Sequence, residues 1–239
     1  MNILETEAIT KSYKKKKVVN NVNLHVKQGE IYGFVGPNGA GKSTILKMLL
    51  NLESPDSGSV KIFGKEVNNC TYKLLCDVGS IIEYPYFYTK LTGRENLELH
   101  CRYLKIPIRN QVNDMLDLLN LSEAADRIVD AYSVGMKQRL AIARAIARNP
   151  EIYIFDDSFS ALDYKTDSVL RKELKKYTKD ATSLIVAQRI GTIMNADKII
   201  VLDNGKIVGQ GTHKELLKNC EVYKQIALSQ LSKEELENG

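Results

Sequence analysis

The chain has no tryptophan, and only five phenylalanines and five prolines among its 239 residues. It also lacks any run of about 18 or more apolar residues, so no segment is long enough to cross a bilayer as a helix. Its four cysteines, Cys70, Cys76, Cys101 and Cys220, show no C-x-x-C or Cys/His metal spacing. They read as reduced thiols in a cytosolic protein. His25, His100 and His213 are scattered and form no metal constellation. Neither sign of charge dominates: 34 Lys and Arg against 29 Asp and Glu leave a net +5. The one strong basic cluster, Lys14 to Lys17, has no aromatic platform or base-reading motif beside it, so it reads as a solvated hairpin tip and not as a nucleic-acid patch. Residues 1–7 have no basic-then-apolar leader. A chain that is 44% hydrophobic and 26% charged can still bury one sizeable core, with room for an inserted subdomain.

Against these absences stands one stretch dense with information, Gly36-Pro37-Asn38-Gly39-Ala40-Gly41-Lys42-Ser43-Thr44. It fits G-x-x-x-x-G-K-[ST], the P-loop of nucleotide-binding proteins. A strand pattern over residues 30–35 precedes it and a helical pattern over residues 45–52 follows, the context that the motif requires. Gly36, Gly39 and Gly41 let the loop curl so that its backbone N–H groups face phosphate oxygens. Lys42 is placed for the β- and γ-phosphates, and the Ser43 hydroxyl for Mg²⁺. The helix would present its positive end to the anion.

Elsewhere, residues 3–10 and 18–26 read as strands, and residues 59–63 as another after the turn Ser54-Pro55-Asp56-Ser57-Gly58. Residues 86–150 change character: apolar residues recur at helical spacing over 96–104, 111–121 and 134–148. Further strands are expected at 152–155, 183–187 and 198–202, and helices at 167–179 and 213–231. Strand–helix alternation after the P-loop predicts an α/β fold with a parallel-sheet core, an N-terminal antiparallel β part and a helical insertion at about residues 86–150. The whole of 1–239 is expected to be one domain.

A P-loop needs an acidic residue at the end of an apolar strand to handle Mg²⁺. Ile152-Tyr153-Ile154-Phe155-Asp156-Asp157 supplies it, with Asp156 expected to hold the metal through water and Asp157 to face the attacking water. A third motif opens a helix: Tyr132-Ser133-Val134-Gly135-Met136-Lys137-Gln138-Arg139. On these residues the chain resembles the ATP-binding subunits of ABC transporters, whose signature reads Leu-Ser-Gly-Gly-Gln followed by a basic residue and Gln-Arg. Ser133, Gly135, Gln138 and Arg139 match; Tyr132, Val134 and Met136 depart. A Ser hydroxyl and backbone N–H groups at a helix N-terminus still make an anion site.

The resemblance implies a P-loop NTPase that binds ATP and Mg²⁺. Ser133 and Gly135 would serve the partner's γ-phosphate, so two chains, as a homodimer or heterodimer, would sandwich two ATPs head to tail. It implies a membrane permease subunit as partner, a place at the inner face of the cell membrane without insertion, and no nucleic acid. Tyr13 matches the aromatic that stacks on adenine. Glu83 stands where the family usually has Gln, a contact of Mg²⁺ or of the attacking water, so it is a candidate for both catalysis and metal. Ser160-Ala161-Leu162-Asp163 matches the loop that links the two sites.

Residues up to about 150 resemble lantibiotic-immunity and bacitracin-resistance ATPases, and residues from about 151 resemble multidrug-exporter ATPase domains. This suggests a recombined or engineered chain joined near residues 147–153; the alternative is one divergent natural lineage. Asp157 stands where the family's base is usually Glu, and Gln188 where it has a His that contacts the γ-phosphate. A base one methylene shorter and an amide without positive charge both act on the transition state, so hydrolysis is expected to be slowed by ~10–1000-fold, about 1.4–4 kcal/mol. The leading expectation is an ATP-hydrolysing motor subunit for export of, or immunity to, peptide antibiotics. The alternative is an ATP-gated dimerisation module that hardly hydrolyses. A soluble relative acting on ribosomes or DNA would carry tandem cassettes or a long coiled coil, which this sequence lacks.

Overall fold

The computed structural model describes residues 1–68, 72–107, 111–156 and 181–231. Strands β1 (Asn2–Tyr13) and β2 (Lys16–Lys27) pair antiparallel through a two-residue turn. That turn is made by Lys14 and Lys15, at φ 46 and 70, the backbone of a type I′ hairpin formed without its usual Asn or Gly. The basic cluster is thus a hairpin tip, as expected. β4 (Ser57–Ile62) and the short β5 (Lys65–Glu66) complete a four-stranded sheet in the order β2-β1-β4-β5.

The second sheet has six strands in the order β10-β9-β3-β8-β7-β6. These are β3 (Ile31–Val35), β6 (Val78–Ile81), β7 (Ile152–Asp156), β8 (Thr182–Val186), β9 (Lys198–Asp203) and β10 (Lys206–Gly211). All pair in parallel except β10, an antiparallel edge. A parallel sheet needs both faces covered, and it has them. Helix α1 (Lys42–Leu49) lies between the two sheets: Ile45, Leu46 and Leu49 share a core with Leu4, Leu24, Phe34, Ile62, Ile154 and Leu184. Side chains alternate along β7, so Tyr153 and Phe155 point into a different core. That core holds Leu97 and Cys101 of α3 (Gly93–Tyr103), Met115 and Leu116 of α4 (Gln111–Leu118), and Leu140 and Ile142 of α5 (Val134–Ile146). A third cluster packs Ile199 and Val201 of β9 on α6 (His213–Asn219) and α7 (Glu221–Leu228). The remaining helix, α2 (Tyr72–Leu75), is a single turn before β6.

Two expectations on elements need correction. The helix expected over 213–231 is broken at Cys220, which is extended (φ −127, ψ 103) and buried, so α6 and α7 are separate. The strands β6 and β10 were not expected at all. The helix expected over 167–179, the loop Ser160 to Asp163, Cys70 and Asp157 lie outside the described residues.

Candidate nucleotide site

In a parallel sheet the C-terminal strand ends share one edge, where ligands of open α/β folds bind. Register places Phe34, Val186 and Asp156 in one row across β3, β8 and β7, with Ile81 of β6 paired to Phe155. The P-loop leaves β3 at this edge, Gln188 follows β8, Asp156 ends β7 and Glu83 follows β6. Topology alone therefore gathers groups that are far apart in sequence.

The P-loop is held in its curl by its own backbone. Ala40 N–H donates to Pro37 at 3.1 Å, and Gly205 N–H donates to Ala40 at 3.2 Å. Gly36 has φ 155, and a Cβ there would lie 2.0 Å from the Leu202 carbonyl oxygen, so nothing larger fits beside β9. Lys42 is buried, and its ammonium donates to the carbonyls of Gly36 (2.7 Å) and Pro37 (3.0 Å). Helix α1 starts at Lys42, with no side-chain cap at Gly41 and no acidic residue in its first turn. Its positive end is left to an anion.

These residues open on a cavity of about 650 Å³. Asn38, Gly39, Gly41, Lys42, Ser43, Thr44, Glu83, Asp156 and Gln188 line it. Asp156 is buried and Gln188 is exposed. Lys42 and Lys137 supply positive charge to the lining, and Glu83 and Asp156 negative. Glu83 has φ 58, and its carboxylate accepts from Lys47 Nζ at 2.5 Å. That hydrogen bond raises the Lys47 pKa above the ordinary lysine value.

Some expected residues stand elsewhere. Gly36, Pro37 and Ala40 shape the loop from behind the lining. Tyr13, 42% exposed at the end of β1, is not part of the cavity wall; the Lys11 ammonium lies 5.7 Å from its ring centroid. Ser133 and Gly135 are also outside the lining. The Ser133 hydroxyl caps α5 by accepting from Met136 N–H at 3.2 Å. Val134, Lys137 and Gln138 of the same helix do reach the cavity, as do Val18, Tyr84, Pro85 and Val186, none of which the sequence singled out for it. Arg139 caps the end of α4 through the carbonyls of Leu119 (3.1 Å) and Asn120 (2.9 Å).

Residues 19–160 match the sequence model of the ABC transporter family. The chain belongs to the ABC transporter family. It is an ATP-binding member and an ATPase by that membership. Among ABC relatives, it is 43% identical over 209 residues to the uncharacterised ATP-binding protein YcbN of Bacillus subtilis, covering 86% of this chain and 68% of that protein. It is 36% identical over 234 residues to the bacitracin transport ATP-binding protein BcrA of Bacillus licheniformis, covering 97% of this chain and 76% of that one. A solved dimeric ATP-binding cassette, in a post-hydrolysis state with ADP and Pi, superposes with a TM-score of 0.81 at 29% identity, covering 87% of this chain and 98% of its own. The match with BcrA runs through residues 147–153, and no comparison supports a junction of two ABC parents there.

Proposed function

We propose that this chain is the ATP-hydrolysing motor of a transporter whose membrane permease is a separate polypeptide, working in export of or immunity to peptide antibiotics. The observation that carries the motor is the meeting of Lys42, Ser43, Asp156, Glu83 and Gln188 in one cavity at the strand ends. The likeness to a bacitracin transport protein supports the cargo class. Among the described residues no helix is long and apolar enough to cross a membrane. We read residues 1–239 as one ATPase domain with its helical part at about 86–150, acting at the inner face of the cell membrane.

In this reading Lys42 leaves the Gly36 and Pro37 carbonyls for the β- and γ-phosphates, and the loop amides and the start of α1 hold the rest of the polyphosphate. Ser43, Asp156 and Glu83 present oxygen atoms at one wall, a donor set suited to a hard cation such as Mg²⁺. When bound, Mg²⁺ neutralises charge on the phosphates. Asp157 accepts the proton of the attacking water, and Gln188 donates to the γ-phosphate. Tyr13 packs on adenine once the nucleotide extends the site towards β1. Ser133 and Gly135 face a second chain's γ-phosphate in a head-to-tail dimer, homo- or heteromeric. The comparisons give no support to the alternative module that binds ATP without hydrolysing it.

The deciding experiment is steady-state phosphate release with Mg-ATP at several protein concentrations, with Lys42→Ala as blank. Release above the blank that rises more than linearly with concentration supports a dimeric motor. Release equal to the blank at saturating ATP refutes it.

A further inference from the structure

Lys47 stands on α1 one turn beyond Ser43, hence on the same face of the helix. Its ammonium meets Glu83 Oε1 at 2.5 Å, across 36 residues of sequence. Glu83 lines the cavity together with Ser43 and Asp156, while Lys47 is not among the lining residues. Glu83 adopts a left-handed backbone conformation (φ 58), which is unfavourable for a residue with a Cβ and places the side chain towards α1.

A carboxylate at this place has a consequence that an amide lacks. It adds a full negative charge to a cavity already holding Asp156 and shaped for a polyphosphate, and like charges repel. A glutamine would need no counter-ion; a glutamate does, and α1 provides one. Asp156 also acts on the Lys47 ammonium, a smaller effect than that of Glu83. Lys47 is therefore set in the field of both carboxylates.

We propose that Lys47 is a positioning residue: its ion pair with Glu83 cancels the carboxylate's charge and holds it at the cavity wall, so that a Glu can stand there without driving phosphate away. The pair rests on the reading of this cavity as the Mg-ATP site. Its side chains are 32% and 58% exposed, so it adds little to folding, as is usual for such pairs. The signature belongs in nucleotide affinity and not in the melting temperature.

The test is equilibrium titration of the purified chain with trinitrophenyl-ATP, with and without Mg²⁺. It compares native protein with Lys47→Met, Glu83→Gln, the double variant and Lys47→Arg. Lys47→Met is expected to weaken binding about tenfold, the equivalent of one pKa unit of charge interaction. In the Glu83→Gln background, Lys47→Met is expected to change affinity by less than about threefold relative to Glu83→Gln alone, because removing the carboxylate removes the need for its partner. Lys47→Arg keeps the charge and stays near native. All variants melt together. A double variant about tenfold weaker than Glu83→Gln overturns the proposal, since Lys47 would then touch the nucleotide or prop α1 directly. Native affinity in Lys47→Met overturns it alone, leaving the site reading intact. A native chain that binds no nucleotide overturns both.

Discussion

Arg144 donates from Nη1 to the backbone oxygen of Tyr86 at 2.7 Å, and its guanidinium lies 5.2 Å from the centroid of the neighbouring Phe87 ring. Arg144 sits near the C-terminal end of α5, whose N-terminus is capped by Ser133. One rigid helix thus joins the loop that carries Glu83 to the signature residues. Burial is the main cause that lowers the Arg144 pKa, so the guanidinium is held there at a desolvation cost. Removing it by Arg144→Ala is expected to cost about 2–3 kcal/mol of unfolding free energy, a charged hydrogen bond plus a cation–π contact. Urea unfolding with an unchanged m-value checks this. A loss below about 0.5 kcal/mol, typical of free surface positions, would show that the contact is idle.

The P-loop makes a sharp distinction between two of its glycines. A Cβ at Gly36 meets the Leu202 carbonyl oxygen at 2.0 Å, whereas a Cβ at Gly39 (φ 82) meets nothing within 4 Å. Gly36→Ala is expected to destabilise by about 2–3 kcal/mol, because β9 or the loop must move. Gly39→Ala costs about 1–2 kcal/mol, the backbone strain alone. Thermal unfolding of the two variants side by side measures the difference, and equal losses would mean that the loop relaxes away from β9.

Asp157 and Gln188 set the hydrolysis rate in the proposed reading. Asp157→Glu combined with Gln188→His is expected to raise turnover at saturating ATP by ~10–1000-fold, with nucleotide affinity unchanged. Phosphate release and nucleotide titration on the same preparation separate the two quantities. An affinity gain without a rate gain would remove these residues from the transition state.

His213 is buried, its Nδ1 lies 2.6 Å from the Tyr223 hydroxyl, and its Nε2 has no hydrogen-bond partner among the described residues. Burial, and secondarily Lys214, lowers its pKa, so the fold favours the neutral ring. His100, against the Arg144 carbonyl at 3.1 Å, is lowered as well, again mainly by burial. Below the ordinary His value near 6.5 the unfolded chain takes up protons that the fold refuses, so stability falls with pH there. Denaturation between about pH 7.5 and 5, above the carboxylate range, is expected to show this decline, with a shallower slope in His213→Gln. A slope unchanged by that substitution would count against a neutral buried His213.

Much of the site was legible because its signals are local. The P-loop string, the apolar strand ending in Asp156 and the helix opening after Ser133 each announce themselves within a dozen residues. Two helix starts are also written locally as reciprocal capping boxes: Thr92 with Glu95, which begins α3 three residues before the expected 96, and Thr212 with Glu215, at the expected start 213. The rest depends on tertiary contacts. β6 is short and contains Gly79, whose lack of a side chain makes sense only beside the Ala145 carbonyl, 2.3 Å from where a Cβ would be. The break at Cys220 has no Pro or Gly to mark it; the thiol packs over Gly209 of β10, an edge strand whose glycines hide its pattern. The Lys47–Glu83 pair and the Arg139 cap on α4 join residues with no periodic relation, and only the fold brings them together.

The two hydrogen bonds from Lys42 to its own loop also bear on turnover. A buried ammonium stripped of its partner is among the costlier states a fold can be asked to visit. Here the lysine has carbonyls waiting at 2.7 and 3.0 Å whenever phosphate departs. In the proposed reading, departing product then leaves no stranded cation behind. In the proposed dimer, release and reloading are then timed by the opening of the subunits and not by the phosphate cradle.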